Sequence, residues 1–318
     1  MINPCLLRPP GVKKQPATGA ETIARQMMKT LTVTLLGIFG VATVAAEEID
    51  RTLDAASDGR VSISNIAGSV EVEGWSRNQV RVTGELGDDV EELVFERDDD
   101  EIEIKVKTHR RNSRNVSSDL YIKVPQRSAL EINTVSADIE VEGVFGEQSL
   151  ESVSGDITTD AHEADIDINT VSGDLEISGD KREIRSRLSS VSGDIDADKL
   201  AGEVGVESVS GDLVVTDGVF QRASLNTVNG DIVFRAQLLN EGRLDVETVN
   251  GEVEIEFAGD ISARFDIETF NGDIRNCFGP EPVRVSKYAP GRELKFTEGG
   301  GTGRVRIETL NGDLTLCK

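Results

Sequence analysis

The stretch INTVSGDLEIS, Ile168–Ser178, decides the fold. Ile166 and Ile168 alternate with polar residues before the Val-Ser-Gly-Asp phrase, and Leu175 and Ile177 resume the alternation after it. A period of two means a strand with one buried face. Two short strands therefore flank a corner, and nearly the same phrase, V-S-G-D or V-N-G-D, returns along most of the chain. Its glycine falls at Gly155, Gly173, Gly193, Gly211, Gly230, Gly251, Gly272 and Gly312, with Ala137 as a degenerate first copy. The steps are 18, 18, 20, 18, 19, 21, 21 and 40 residues. A period near 20 is the signature of a stacked repeat, and the last step equals two periods.

Two architectures compete. A chain of β-hairpins would use Asn-Gly between alternating strands as its turn. A single-stranded β-solenoid would make each copy of about 20 residues one coil, stacked on the next at roughly 4.8 Å. A third apolar spot lies between copies, at Val144-Phe145, Leu200, Val219-Phe220, Leu238-Leu239 and Phe257. It supplies a third inward corner that a bare hairpin would leave exposed. The fold expected is all-β, a solenoid over 131–318 preceded by a short-stranded β region over 47–130 that caps it.

Equal phases stack in a solenoid, and this explains the phrase. The Val series from Val135 to Val249, then Phe270 and Leu310, is expected to form one buried apolar column; its exposure would argue against the stack. The eight glycines are expected to be structural, supplying positive φ at a tight corner. Ser136, Ser154, Ser172, Ser192 and Ser210 would form a hydroxyl ladder, continued by an amide ladder of Asn229, Asn250, Asn271 and Asn311. Asp138, Asp156, Asp174, Asp194, Asp212, Asp231, Glu252, Asp273 and Asp313 would form an acidic column. Adjacent charges at that spacing repel by only about 1 kcal/mol in water, so the bland reading is solvated turn carboxylates. The sharper one is a Ca²⁺-binding edge, since hard cations want clustered oxygens. No other metal or cofactor is expected.

The N-terminus reads as a targeting segment. In MKTLTVTLLGIFGVATVAA, Met28–Ala46, a lysine precedes an apolar run that ends in small residues. That is a secretory signal pattern, too short for a membrane span of about 20 apolar residues. Cleavage is expected after Ala46, and residues 1–27 are expected to lie upstream of the true start. Without residues 1–46 the chain keeps 29 basic and 57 acidic residues, a net charge of −28. Such a surface repels nucleic acid and anionic lipid. No stable membrane insertion is expected after cleavage, and the address is the periplasm, the cell surface or the medium.

Before the repeats, RVSISNIAGSVEVEGW and DLYIKVP continue the same strand style. Trp75 is expected to pack over the open end of the first coils. THRRNSRN, Thr108–Asn115, is a basic island read as an exposed loop. These residues resemble the putative-adhesin domain family, an exported bacterial β-solenoid domain of unknown function. The resemblance rests on the signal peptide, GSVEVEGWSRNQVRV, DLYIKVP, LEINTVSADIEV, the TVSGDI copies and the Gly-rich turn in EGGGTGRVRIETLNGDLTL. It covers roughly Ile49 to Leu316. It implies a β-solenoid and brings no catalytic residues, because the adhesin label itself rests on fold analogy.

Function is read from what the chain offers. It has two histidines, His109 and His162, and neither H-E-x-x-H nor G-x-S-x-G. DIDIN, Asp165–Asn169, mimics the start of a calcium loop but has strand alternation and Thr170 where glycine belongs. The expectation is a non-catalytic exported solenoid: an adhesin or envelope-binding protein whose partner is a protein or glycan. The alternative is a structural or envelope-stress component acting through a membrane partner. A polysaccharide-active enzyme is the third reading.

Cys277 and Cys317 each lie five residues after a motif glycine. The residues between them read as a protruding hairpin over about 280–303 rather than a coil. The coils of Gly272 and Gly312 would then be neighbours, and the two cysteines would be about 4.8 Å apart, within disulfide range. Two free exposed thiols are the bland alternative.

Overall fold

The computed structural model describes residues 47–108, 115–286 and 290–318. The signal segment, the stretch upstream of it and most of the basic island lie outside the described residues.

The described chain is built of strands. The first group is β1 (Glu47–Asp54), β2 (Arg60–Trp75), β3 (Gln79–Leu86), β4 (Val90–Asp98), β5 (Glu101–Thr108), β6 (Ser117–Pro125) and β7 (Ala129–Glu142). The regular middle holds β8 (Gln148–Ser152), β9 (Ile157–Ala161), β10 (Ile166–Thr170), β11 (Leu175–Gly179), β12 (Glu183–Ser189), β13 (Ile195–Asp198), β14 (Ala201–Glu207), β15 (Leu213–Asn229), β16 (Ile232–Asn250) and β17 (Val253–Phe257). The last group is β18 (Ala263–Asn271), β19 (Ile274–Asn276), β20 (Val283–Arg284), β21 (Arg292–Glu298), β22 (Gly303–Asn311) and β23 (Leu314–Cys317).

Register shows the solenoid. Ile168 of β10 lies beside Leu150 of β8 on one side and Leu188 of β12 on the other, all parallel. Leu175 of β11 lies between Ile157 and Ile195 in the same way. Strands before the phrase pair with strands before the phrase, and strands after it with strands after it. Hairpins would have paired them antiparallel. The third apolar spot turns inward as expected, with Val144, Leu200, Phe220, Leu238 and Phe257 buried. Each fully buried aliphatic or aromatic side chain contributes about 1.5–3 kcal/mol, and the column repeats this at every coil.

The valines do not join that core. Val135, Val153, Val171, Val191, Val209, Val228 and Val249 point outward at 38–48% exposure, with Leu310 at 47% and Phe270 at 50%. The expected buried column is therefore wrong, and its physical reason is the strand period. Ile166 and Ile168 face in, so the next inward position is Thr170, and Val171 falls outside. Thr134, Ser152, Thr170, Ser190, Ser208, Thr227, Thr248, Thr269 and Thr309 make the buried column instead. Some of these hydroxyls bond a corner carbonyl, as Thr134 does to Ala137 at 3.1 Å and Thr269 to Gly312 at 3.2 Å. Stacking needs only equal phase, so the solenoid stands with its valines outside.

All eight motif glycines are required by close approach, and the expected positive φ is found at only three of them, Gly211, Gly230 and Gly312. Most of them have negative φ, and those of Gly211, Gly230 and Gly312 lie near 158°, at the edge of extended backbone. A Cβ on Gly173 would come within 2.2 Å of the Gly155 carbonyl oxygen, and one on Gly251 within 1.9 Å of that of Gly230. Each corner rests on the backbone of the one before. The acidic residue that follows has a matching task. The Asp174 amide donates to the Asp156 carboxylate at 2.9 Å, Asp194 to Asp174 at 2.9 Å, Asp212 to Asp194 at 2.8 Å and Asp231 to Asp212 at 2.7 Å. The carboxylate caps the next coil's amide at a point where the ladder turns.

Both ends break sequence order. At the C-terminal end β22 lies between β16 and β18, and β23 between β17 and β19. The last coil in sequence is thus the second-last in space. The amide ladder shows the same order: Asn250 donates to Asn229 at 2.9 Å, Asn311 to Asn250 at 2.9 Å and Asn271 to Asn311 at 2.8 Å. The described part of the 280–303 segment is a hairpin, as expected, but β21 lies against the stack rather than standing away from it. Its β20 and β21 form an antiparallel hairpin, and β21 lies antiparallel on the outer edge of β18. At the N-terminal end β2 is a coil of the stack, lying between β7 and the pair β5 and β6. The 47–130 region therefore joins the solenoid as well as closing it. Trp75 is half-buried; its indole N–H donates to the Gln79 carbonyl at 2.6 Å, and the Arg77 guanidinium sits 5.1 Å from its ring centre.

Candidate binding face

Among the described residues the outward Val series forms a continuous row of exposed apolar side chains. Every full copy of the phrase places Val, Leu or Phe at a position that the fold leaves exposed. In stack order the ridge runs Val135, Val153, Val171, Val191, Val209, Val228, Val249, Leu310, Phe270. Nine rungs at the parallel-strand spacing make it roughly 38 Å long. The side chains cover one another in part, which accounts for some β-branched preference but not for Leu and Phe. Contiguous exposed apolar surface of this kind makes the ridge a candidate interaction site.

Beside the last five rungs the ridge borders a groove of about 720 Å³. Its floor is the buried Ser/Thr column, and one wall is Val209, Val228, Val249, Leu310 and Phe270. The other wall is the residue before each Thr or Ser, and it carries Glu207, Glu247, Glu268 and Glu308. Val285 and Gly291 of the β20–β21 hairpin close its end. Arg306 bonds both Glu247, at 3.1 Å, and Glu308, at 2.6 Å. Glu207 and Glu268 are exposed and have no ion pair among the described residues. The groove is thus apolar on one side and net acidic on the other.

Other candidates from the sequence do not converge. Asp165 accepts the Arg185 amide at 2.9 Å and Asp167 the Asn169 side chain at 2.9 Å, both within or beside strand β10, so DIDIN is a strand and not a loop. Among the described residues no group of three His, Cys, Asp or Glu side chains is placed to hold a metal ion. Seven of the nine carboxylates in the acidic column accept a backbone amide of the adjoining coil, and Asp273 pairs with Arg292 instead. Near it, burial together with Glu176 and Asp198 pushes the Asp196 carboxyl up. His162 sits edge-on to Phe145, 4.8 Å between centres, with Nδ1 3.3 Å from an Asp180 oxygen that Arg182 shares. His109 lies outside the described residues. Cys277 and Cys317 form a disulfide with their Cα atoms 4.9 Å apart, one rung of the stack.

Hydrophobicity alone puts valine inside before threonine and so hides the ridge in the sequence. Counting the period from Ile168 through Thr170 finds it.

A search of curated proteins gave no match. Among solved structures, a "putative cell adhesion protein" from Clostridium sporogenes aligns at 10% identity over 85% of this chain and 99% of its own, with a TM-score of 0.24. The fold accordingly rests on this chain's own strand register. Among the described residues no helix is long and apolar enough to cross a membrane. A family model matches residues 58–317, nearly the whole described chain, and by that match the protein belongs to the Toastrack DUF4097 family.

Proposed function

We propose that the chain is an exported, non-catalytic binding module that presents its outer ridge to a protein of the cell envelope. The observation that carries this is the ridge itself: nine exposed apolar side chains at one phase of the repeat, where the strand period asks only for a polar outward residue. A solenoid offers a long, rigid face of this kind. Catalysis has less support, because the described titratable side chains are spread over inter-coil hydrogen bonds, surface ion pairs and separate exposed positions rather than turned toward one point.

The test is position-resolved crosslinking in cells combined with fractionation. A photo-reactive residue replacing Val191, on the ridge, should yield one discrete adduct in the envelope or exported fraction. The same residue replacing Glu176, exposed on β11, should not. Val209→Asp should remove the Val191 adduct while the protein stays folded. Equal labelling from both positions, or none from Val191, would overturn the reading.

A further inference from the structure

The groove is built differently from the rest of the ridge, and the difference describes its occupant. Over the first rungs the ridge is open. Over Val209, Val228, Val249, Leu310 and Phe270 it becomes one wall of a trough whose opposite wall is acidic and whose end is closed by Val285. We propose that this trough takes an amphipathic α-helix of a partner protein, with Lys or Arg along one edge of its apolar face. The proposal rests on the binding-module reading and names the partner's chemistry.

Spacing argues for a helix. The wall presents an apolar side chain about every 4.8 Å along the stack. A helix lying along the trough returns a side chain to the same face every three to four residues, about 4.5–6 Å at 1.5 Å per residue. An extended strand returns one every ~6.7 Å, which falls out of step after two rungs. Five rungs span roughly 19 Å, the length of about 13 helical residues. The binding mode is an apolar helix face laid into a groove.

Charge argues for the basic edge. Four glutamates line one wall, and Arg306 offsets only the pair it touches. The exposed Glu207 and Glu268 are left for a partner. The Asp column beyond the ridge and the net charge of −28 left without residues 1–46 add long-range attraction for a cation and repulsion for an anion. A second copy of this chain would bring the same acidic surface, so like charge opposes self-docking.

The experiment uses the chain from Glu47 to Lys318 and three labelled 16-residue peptides, read by fluorescence anisotropy. One is a Leu/Lys peptide patterned as an amphipathic helix. The second has the same composition patterned as a strand. The third is the helix pattern with Glu for Lys. The helical Leu/Lys peptide should bind at least tenfold tighter than either other, and the gap to the Glu peptide should shrink in high salt. Glu207→Lys combined with Glu268→Lys should weaken it about tenfold, as should Val249→Ser. Val153→Ser, on the open ridge, should leave it unchanged, with circular dichroism melts verifying each fold. Equal binding of the three peptides, no binding, or indifference to Val249→Ser would overturn the proposal. So would a dimer by light scattering that Val249→Ser dissolves, since that would assign the trough to a second copy. If the peptides fail while the in-cell Val191 adduct persists, the helix falls and the binding face stands.

Discussion

At the N-terminal end three strands lie antiparallel over the outer coil: β4 on β5, β3 on β6 and β1 on β3. At the C-terminal end the seven-residue β21 and its two-residue partner β20 do the same work. The covers differ in depth. Ile49, Val80, Val82, Leu86, Leu93 and Val94 are buried in the first, and only Leu294 of β21 is buried in the second. An unprotected edge strand invites pairing with another chain, so the thinner cover needs help. It has two supports that the thick one lacks. The disulfide ties the outer coil to its inner neighbour, and an aromatic stack, Phe257, Phe265, Phe296 and Phe278, fills the end of the core with centres 4.4–6.0 Å apart. Cover by backbone and cover by staple are two answers to one open edge.

The comparison breaks hardest at Phe265. It is 2% exposed and touches three other rings. Phe265→Ala should cost about 3–5 kcal/mol, read as a shift of the denaturant midpoint, and should loosen β18 and β21 before β1 and β3. A loss under ~1 kcal/mol would mean the stack is not what closes this end.

Next comes the staple. In the chain-entropy model, closing a 40-residue separation is worth about 4 kcal/mol. Cys277→Ser with Cys317→Ser, or reduction of the native protein, should lower the melting temperature and expose the 280–303 segment to protease. The N-terminal strands should keep their protection. An unchanged melt on reduction would remove the staple from the account.

The glycine corners sharpen the contrast between stacking and φ. Gly193→Ala puts a methyl group 2.0 Å from the Gly173 carbonyl oxygen, against main chain that cannot step aside. It should cost about 1–3 kcal/mol. Gly205→Ala meets nothing within 4 Å and should stay within about 0.5 kcal/mol. Equal effects would contradict the carbonyl contact as the reason for glycine.

The repeat made the middle of this molecule legible. Period two around Gly155 to Gly251, together with the inward Leu200 and Phe220, points to a stacked coil, and β8 to β17 follow it in register. The ends were not legible, because nothing local in GRVRIETLNGDLTL says that it slots between β16 and β18. That choice is made by pairing two edges at once, a long-range gain that spacing along the chain does not record. The 40-residue step carried half the message: it marked an excursion but not the reversal of coil order. The exposed ridge is legible only through the period, since Thr170 inside and Val171 outside follow from it even though hydrophobicity ranks them the other way.

The two ends should also separate in acid, the smallest effect expected. At the N-terminal end the Arg81 hydrogen bond, at 2.9 Å, holds the Asp50 carboxyl below its ordinary 3.8. Lys123 and the Tyr121 hydroxyl hold Glu73 below its ordinary 4.5. These pairs tie β1 to β3 and β2 to β6. A carboxyl with a lowered folded pKa stabilises above its unfolded value, and that stability is lost as pH falls through the folded value. The window therefore opens below about pH 4.5 for Glu73 and below about 3.8 for Asp50. At the C-terminal end the shifted group is Lys295, raised by Glu293 and Asp266 across β18 and β21. Acid leaves that lysine charged but weakens its pairs along with any carboxylate pair, so the contrast rests on what does not titrate: the disulfide and the aromatic stack that hold this end keep their contacts in acid. Between about pH 6 and pH 3, amide protection corrected for intrinsic exchange should fall further in β1 and β3 than in β21 and β22. Asp50→Asn together with Glu73→Gln should flatten the difference. Both ends loosening in parallel would mean that these surface pairs, exposed or half-buried, are screened to nothing, and that the N-terminal cover is held by its apolar face alone.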